Sequence, residues 1–262
     1  MSDFLLQQLD SRGVLTLTLN RPEKRNAFDD ALIAELILAL ETAAENQAVR
    51  LVVLTSSGDH FSAGADLNWM KRMASYSHAQ NLADAKELAR LMDTLYHLPK
   101  PTLGLVKGAA YGGAVGLAAC CDLVLAADNA SFCLSEVKIG LIPAVISPYV
   151  IKAMGERQAR RYFLTAEVIN ATQAVQLGLA HQLVALEELP HYSEQMIQQL
   201  LNNSPAALTA AKALIYAVSG QPLSTELNAD TSARIADIRV SAEGQEGLNA
   251  FLEKRLPAWR QG

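Results

Sequence analysis

Gly112-Gly113-Ala114-Val115-Gly116-Leu117-Ala118-Ala119-Cys120-Cys121-Asp122, followed by Leu123-Val124-Leu125-Ala126-Ala127, is the stretch whose reading decides the fold. Thr102 to Lys107 before it reads as a strand, the paired glycines open a buried helix, and Leu123 to Ala126 returns to strand. Strand, helix and strand in close succession make an α/β unit rather than a sandwich. Ala109 to Ala127 is almost wholly apolar, but Asp122 and three glycines interrupt it and its flanks are too short for a lone anchor. No membrane span is therefore expected. Gly108, Gly112 and Gly116 form a small-residue ladder that suits close helix packing in a soluble core.

The alternation continues toward the N-terminus. Phe4 to Leu9 and Val14 to Leu19 read as strands joined by a turn at Ser11-Arg12-Gly13. Asp29 or Asp30 caps an amphipathic run to about Asn46, with Leu32, Leu36, Leu40 and Ala44 on one face. Leu51 to Thr55 is a short buried strand, and the spacing of Leu88, Leu91, Met92 and Leu95 predicts a helix from Leu82 to His97, stopped by Pro99 and Pro101. After about Ser147 strand signals thin out; Leu179 to Val184 is the last. Glu187 to Asn202, Ala206 to Val218, Leu223 to Val240 and Glu243 to Arg255 read as helices.

The chain has 262 residues, half of them hydrophobic and 19% charged, which suits one large domain with a sizeable core. A net charge of −5 gives no general attraction to nucleic acid or anionic lipid. The densest basic group, Arg157, Arg160 and Arg161 with Lys152 nearby, reads as a solvated helix face. Cys120, Cys121 and Cys133 are odd in number and two are adjacent, so they read as buried thiols rather than a disulfide framework. No His/Cys cluster has metal-ligand spacing, and no metal is expected. The start, Met1-Ser2-Asp3-Phe4, lacks the basic and apolar regions of a secretory signal, which makes the cytoplasm the expected location.

Two glycine-rich segments can carry chemistry. Gly112-Gly113 comes straight after a strand and at a helix start, where backbone N–H groups lack intrahelical partners. Ala63-Gly64-Ala65-Asp66 likewise leads into a helical Leu67-Asn68-Trp69-Met70. Either site suits a developing negative charge; glycines that merely permit tight turns are the other reading, and each loop alone leaves both open. Glu136 sits among Phe132, Leu134, Val137 and Ile139, surroundings that raise a carboxyl pKa and suit a group exchanging protons near neutrality. A cap or surface charge is its plainer reading. Asp66 reads as a helix cap before it reads as an acid.

Together, Phe61-Ser62-Ala63-Gly64-Ala65-Asp66, the Gly112 to Asp122 segment and Phe132-Cys133-Leu134-Ser135-Glu136-Val137-Lys138-Ile139-Gly140-Leu141-Ile142-Pro143 resemble the enoyl-CoA hydratase/isomerase (crotonase) family. The resemblance runs from the Asn20 loop to Arg255. It implies an α/β fold with a ββα spiral core over residues 1–200 and a helical C-terminal trimerisation region over 201–262. It also implies a homotrimer or hexamer, and an acyl-CoA thioester substrate in which coenzyme A is part of the substrate and no separate cofactor is needed. By resemblance the N–H groups of Ala65 and Gly113 form an oxyanion hole, and Glu136 is one of the two glutamates that many hydratases carry; Gly116 stands where the other is found. The matched segments also imply that Ala63, Asp66, Leu67, Gly112 and Gly116 lie about the substrate. Lys24, Arg25 and Ala27 fall in the coenzyme A loop, and Phe251 and Lys254 on the terminal helix reach the nucleotide end, often of a neighbouring subunit.

Within the family, Ser62 to Met73 and Ser135 to Val150, together with Gly116, look like bacterial methylglutaconyl-CoA hydratases of leucine catabolism and the isohexenylglutaconyl-CoA hydratases of acyclic terpene breakdown. That implies a branched 2-enoyl thioester with a second carboxylate, for which Lys71, Arg72 and Lys138 are candidate partners. A Δ3–Δ2 enoyl-CoA isomerase is the alternative, since one glutamate suffices to move a proton between carbons. A non-catalytic acyl-CoA- or RNA-binding relative is the third reading, and the acidic balance and the unbasic first helix, with Glu35, Glu41 and Glu45, argue against it.

Overall fold

The structure, a computed structural model, describes residues 3–260. Its strands are β1 (Leu5–Leu9), β2 (Val14–Leu19), β3 (Leu51–Ser56), β4 (Thr102–Val106), β5 (Ala109–Tyr111), β6 (Leu123–Ala127), β7 (Ser131–Cys133), β8 (Ile169–Asn170) and β9 (Gln182–Val184). The helices are α1 (Asp30–Glu45), α2 (Leu67–Met73), α3 (His78–Tyr96), α4 (Gly113–Cys120), α5 (Ser147–Met154), α6 (Glu156–Thr165), α7 (Ala171–Leu177), α8 (Leu189–Leu201), α9 (Pro205–Val218), α10 (Thr225–Val240) and α11 (Ala242–Leu252). A six-stranded sheet runs β1-β2-β3-β4-β6-β9, parallel throughout except for the β1–β2 hairpin, and a three-stranded sheet runs β5-β7-β8.

Each turn of chain gives one strand to the large sheet, a short extended piece to a second layer, and then a helix. Strand β4 is followed by β5 and α4, and β6 by β7 and a 3-10 turn. The second layer reaches into earlier turns through single parallel bridges, Phe28 to Ala65 and Ser62 to Ala110, before β5 pairs with β7. Successive turns therefore lie side by side, and the crotonase-like ββα spiral is the observed architecture. Stacking of this kind brings Phe28, Ala65, Gly112 and Glu136 to one edge although they are far apart in the chain.

The large sheet is covered on both faces, as its unbroken apolar strands require. One face packs Leu17, Leu19, Val52 and Leu54 against Leu36 and Leu40 of α1 and Leu91 and Leu95 of α3. The other packs Val14, Leu51, Val53, Leu103 and Leu125 against Leu189, Ile197 and Leu201 of α8. Helix α3 begins at His78, ahead of the expected Leu82, because Ser77 and Gln80 form a reciprocal capping box. Strands β5, β7 and β8 were not expected from periodicity, since each is two or three residues long.

The C-terminal helices grip the core through polar anchors. The buried Lys212 ammonium of α9 lies 2.7 Å from Asp122 Oδ2, which also accepts from the Thr102 N–H and hydroxyl. Thr209 donates to the Pro99 carbonyl, and Tyr216 to the Tyr96 carbonyl. Helix α10 has no buried residue at all. No helix among the described residues is long and apolar enough to cross a membrane. Arg160 and Arg161 of α6 are exposed and paired with Glu156 and Glu167, as a solvated face requires.

Candidate active site

Two main-chain segments meet at the edge of the second layer. Phe28 N–H donates to Gly64 O and Asp66 N–H donates to Phe28 O, each at 2.9 Å. In this parallel bridge Phe28 pairs with the residues on either side of Ala65, so the Ala65 N–H is left out of the ladder and turned from it. Gly64 has φ +94° and its missing side chain would press on Tyr111 O at 3.0 Å, so glycine is required there. Gly112, at φ +56° and ψ −126°, turns the chain from β5 into α4, and its N–H donates to Cys133 O. Gly113 opens α4, where its N–H has no intrahelical acceptor. A methyl group on Gly113 would lie 2.6 Å from Phe28 Cζ.

Glu136 follows β7 at the start of a 3-10 turn, Glu136–Ile139, that Gly140 closes in the left-handed region. Its Oε1 lies 3.4 Å from where a side chain on Gly112 would start. Its Oε2 is buried and finds no hydrogen-bond partner. Burial pushes the carboxyl pKa up from its ordinary value, and a backbone hydrogen bond offsets only part of this. Glu136, Ala63, Ala65, Leu67, Gly112 and Gly113 all line one cavity of about 750 Å³, together with Phe28, Trp69, Asp84 and the Gly140 to Ile146 segment. Two residues whose N–H groups lack a backbone acceptor and a carboxyl of raised pKa thus line one largely apolar cavity.

The structure corrects the expectation for Gly116. Gly116 is buried one turn into α4 and does not line the cavity. A side chain there would start 2.8 Å from Ile146 Cβ, closer still to its Cγ2, and 3.2 Å from Met92 Sδ. Ile146, which does line the cavity and is 2% exposed, has taken the space. The space beside the glycine is filled by an isoleucine.

Among the described residues no lysine or arginine lines the cavity, and its charged side chains are Glu136 and Asp84, whose Oδ1 accepts from Trp69 Nε1 at 3.0 Å. Lys71 and Lys138, expected near a distal carboxylate, lie outside that lining, and Arg72 is paired with Asp30. Asp66 is also absent from the lining: it caps α2 through the Asn68 and Trp69 N–H groups and pairs with Arg21 and Lys24. Burial works to raise its pKa, but the Lys24 ammonium and the helix N–H groups overcome this and hold it low. Ala27 is buried outside the cavity lining, and Lys24 and Arg25 are exposed beside it. Phe251, 81% exposed, and Lys254 stand on the C-terminal surface away from the cavity lining.

Arg21 is a residue that sequence reasoning passed over. It is 4% exposed, lies 2.8 Å from Asp29 and 3.3 Å from Asp66, and donates to the Ala27 carbonyl. Through the caps of α1 and α2 it locks the loop that carries Phe28. Asn26, buried in the left-handed region, holds the same loop through Arg21 N–H, Ser57 O and His60 O. The three cysteines are buried and free, and burial raises the thiol pKa of each, that of Cys121 to about 12. A buried thiol of this kind is a poor nucleophile.

A family model described as enoyl-CoA hydratase/isomerase matches residues 10–262. Among curated proteins, the 2,3-dehydroadipyl-CoA hydratase of Escherichia coli is 33% identical over 99% of this chain and 99% of its own. The 1,2-epoxyphenylacetyl-CoA isomerase of Escherichia coli is 33% identical over 98% of each chain. Among solved structures, an enoyl-CoA hydratase from Shewanella pealeana superposes with a TM-score of 0.95 at 50% identity, covering 98% of this chain and 96% of that one.

Proposed function

This chain belongs to the enoyl-CoA hydratase/isomerase family, and from that premise we propose that it adds water across the double bond of a 2-enoyl-CoA with Glu136 as its one acid–base group. The observation that carries the reading is the Glu136 carboxyl, with its pKa raised and one oxygen unpartnered, in the same cavity as the acceptor-free Ala65 and Gly113 N–H groups. The thioester oxygen sits between those two donors. Glu136 takes a proton from water as the water oxygen bonds to C3, the π electrons pass through C2 to the thioester oxygen, and the resulting enolate is held by the two N–H groups. Glu136 then returns a proton to C2, which restores the carboxylate. Preorganised donors of this type contribute about 3–4 kcal/mol each to the transition state.

The acyl group we assign is short, branched and carboxylated, of the 3-methylglutaconyl type, with its isohexenyl homologue as the variant. Two points support it. Apolar Ile146, not an acid, lines the cavity where α4 packs against it, so a second anion on the substrate meets no carboxylate on that wall. A relative over the full chain length is named for dehydroadipyl-CoA, the thioester of a dicarboxylic acid. With no cation along the cavity among the described residues, the distal carboxylate stays hydrated at the open mouth, since burying it unpaired would be costly. Exposed Lys24 and Arg25 are assigned to the coenzyme A phosphates. Phe251 and Lys254 are assigned to the nucleotide end in a neighbouring subunit of a trimer or hexamer. The unburied α10 and the exposure of Leu223, Val240 and Phe251 support such an assembly.

Turnover of 3-methylglutaconyl-CoA, crotonyl-CoA and a 3-enoyl-CoA in ¹⁸O water tests the reading. Label in the product with the highest kcat/KM on the glutaconyl thioester is expected. Double-bond migration without label would make the protein an isomerase.

A further inference from the structure

Helix α4 rises from Gly113, and Gly116 lies one turn further along the same face. A side chain at 116 would run into Ile146, which reaches α4 from the segment that follows the 3-10 turn of Glu136. Ile146 lines the cavity alongside Gly113 and Glu136, and it is rigidly placed, 2% exposed and packed into the gap that Gly116 leaves. As a β-branched residue it has few rotamers with which to yield. Its hydrocarbon is therefore a wall of the same cavity that Gly113 and Glu136 line, packed against α4 one helical turn from Gly113.

We propose that Ile146 is the specificity-determining residue for the substituent on C3 of the substrate: its side chain sets how large a branch the reacting carbon can carry. This inference rests on the hydratase reading. One methylene more or less in an apolar pocket changes discrimination by about 10–200-fold, so a single residue of this kind is enough to set a preference. Trimming Ile146 opens space continuous with the Gly116 gap, and enlarging it closes the space further.

The experiment compares crotonyl-CoA with 2-enoyl-CoA thioesters bearing an added methyl or ethyl group at C3, for wild type, Ile146→Val, Ile146→Ala and Ile146→Phe. Wild type should accept the methyl branch and discriminate against ethyl. Ile146→Ala should raise the ethyl-to-methyl ratio of kcat/KM by about tenfold, with Ile146→Val between, and Ile146→Phe should lower the branched-to-straight ratio by about tenfold. Ratios that stay within about twofold of wild type in variants that still turn over crotonyl-CoA would overturn the assignment. Ile146→Val removes one methyl group only, and keeps the test decisive should Ile146→Ala or Ile146→Phe fold poorly. Wild-type protein that hydrates none of these thioesters and does not hydrate 3-methylglutaconyl-CoA either defeats the hydratase reading itself, a different result from an active wild type whose ratios do not move.

Discussion

Phe28 touches both halves of the candidate anion site: its backbone brackets Ala65 and its ring fills the space beside Gly113. The two N–H groups come from different turns of the spiral, and this one residue spaces them. Its own position is secured by Arg21, which joins the caps of the two flanking helices.

Gly113→Ala should therefore cost activity by displacement rather than by loss of a donor. The added methyl would meet the Phe28 ring, and a shift of either donor by a fraction of an ångström should lower kcat by about 10²–10³-fold. Gly113→Ala combined with Phe28→Leu should recover part of that loss. Equal activity for the single and double variants, both folded by circular dichroism, would contradict the coupling.

Glu136→Gln keeps size but cannot take a proton, so kcat should fall by about 10²–10⁴-fold with KM little changed. In wild type the acid limb of the pH–rate profile should lie above the ordinary glutamate value of 4.5, because burial raises the pKa, and the limb should vanish in the variant. The sign for stability follows from the same shift. The folded state binds this proton more tightly than the unfolded state, so the stabilising contribution is full below 4.5 and is lost as pH rises through the raised value. Glu136→Gln should accordingly melt higher than wild type at neutral pH and not at acid pH.

Gly116→Ala should destabilise the protein by about 1–3 kcal/mol in urea titration, the usual cost of overpacking a filled core. Adding Ile146→Ala should return most of that stability. Gly116→Glu alone should not yield a second catalytic acid, because Ile146 and Met92 leave no room for one. Robust folding of Gly116→Glu with hydratase activity above wild type would overturn this account.

A chain ending at Val240 should lose both assembly and affinity for coenzyme A thioesters, as seen by sedimentation velocity and by KM. Full-length protein should sediment as a trimer or a dimer of trimers. A fully active monomer would remove the basis for assigning Phe251 and Lys254 to a neighbouring site.

Composition leaves Glu136 between a surface charge and a buried acid and only the family resemblance singles it out, while Gly112 and Gly113 are legible as a turn and a helix start from their own segment. The helices α1 and α8 are legible for a similar reason, since the 3.6-residue period is local. Ile146 and Phe28 are not. Their roles arise only when distant turns of the spiral stack, and nothing in the composition around Ile146 says that it will fill the gap at Gly116. The burial of Arg21 depends on Asp29 and Asp66 closing over it from two helix starts, which its own charged loop does not announce. Strands β5, β7 and β8 escaped because pairing, not periodicity, defines so short an element.

On this reading the substrate anion is met by two peptide N–H groups, which any substitution but proline keeps as donors, though not always in place. The capacity to hold an activated thioester then rests on backbone geometry that Gly64 and Gly113 keep in place, and on no functional side chain. What can be rewritten is the ring of side chains around that fixed point: a carboxylate present at 136, an isoleucine at 146 where the chain leaves a gap at 116. A lineage built on such a scaffold can change which proton it moves, or which carbon it hydrates, without passing through an ancestor that has lost its grip on the substrate.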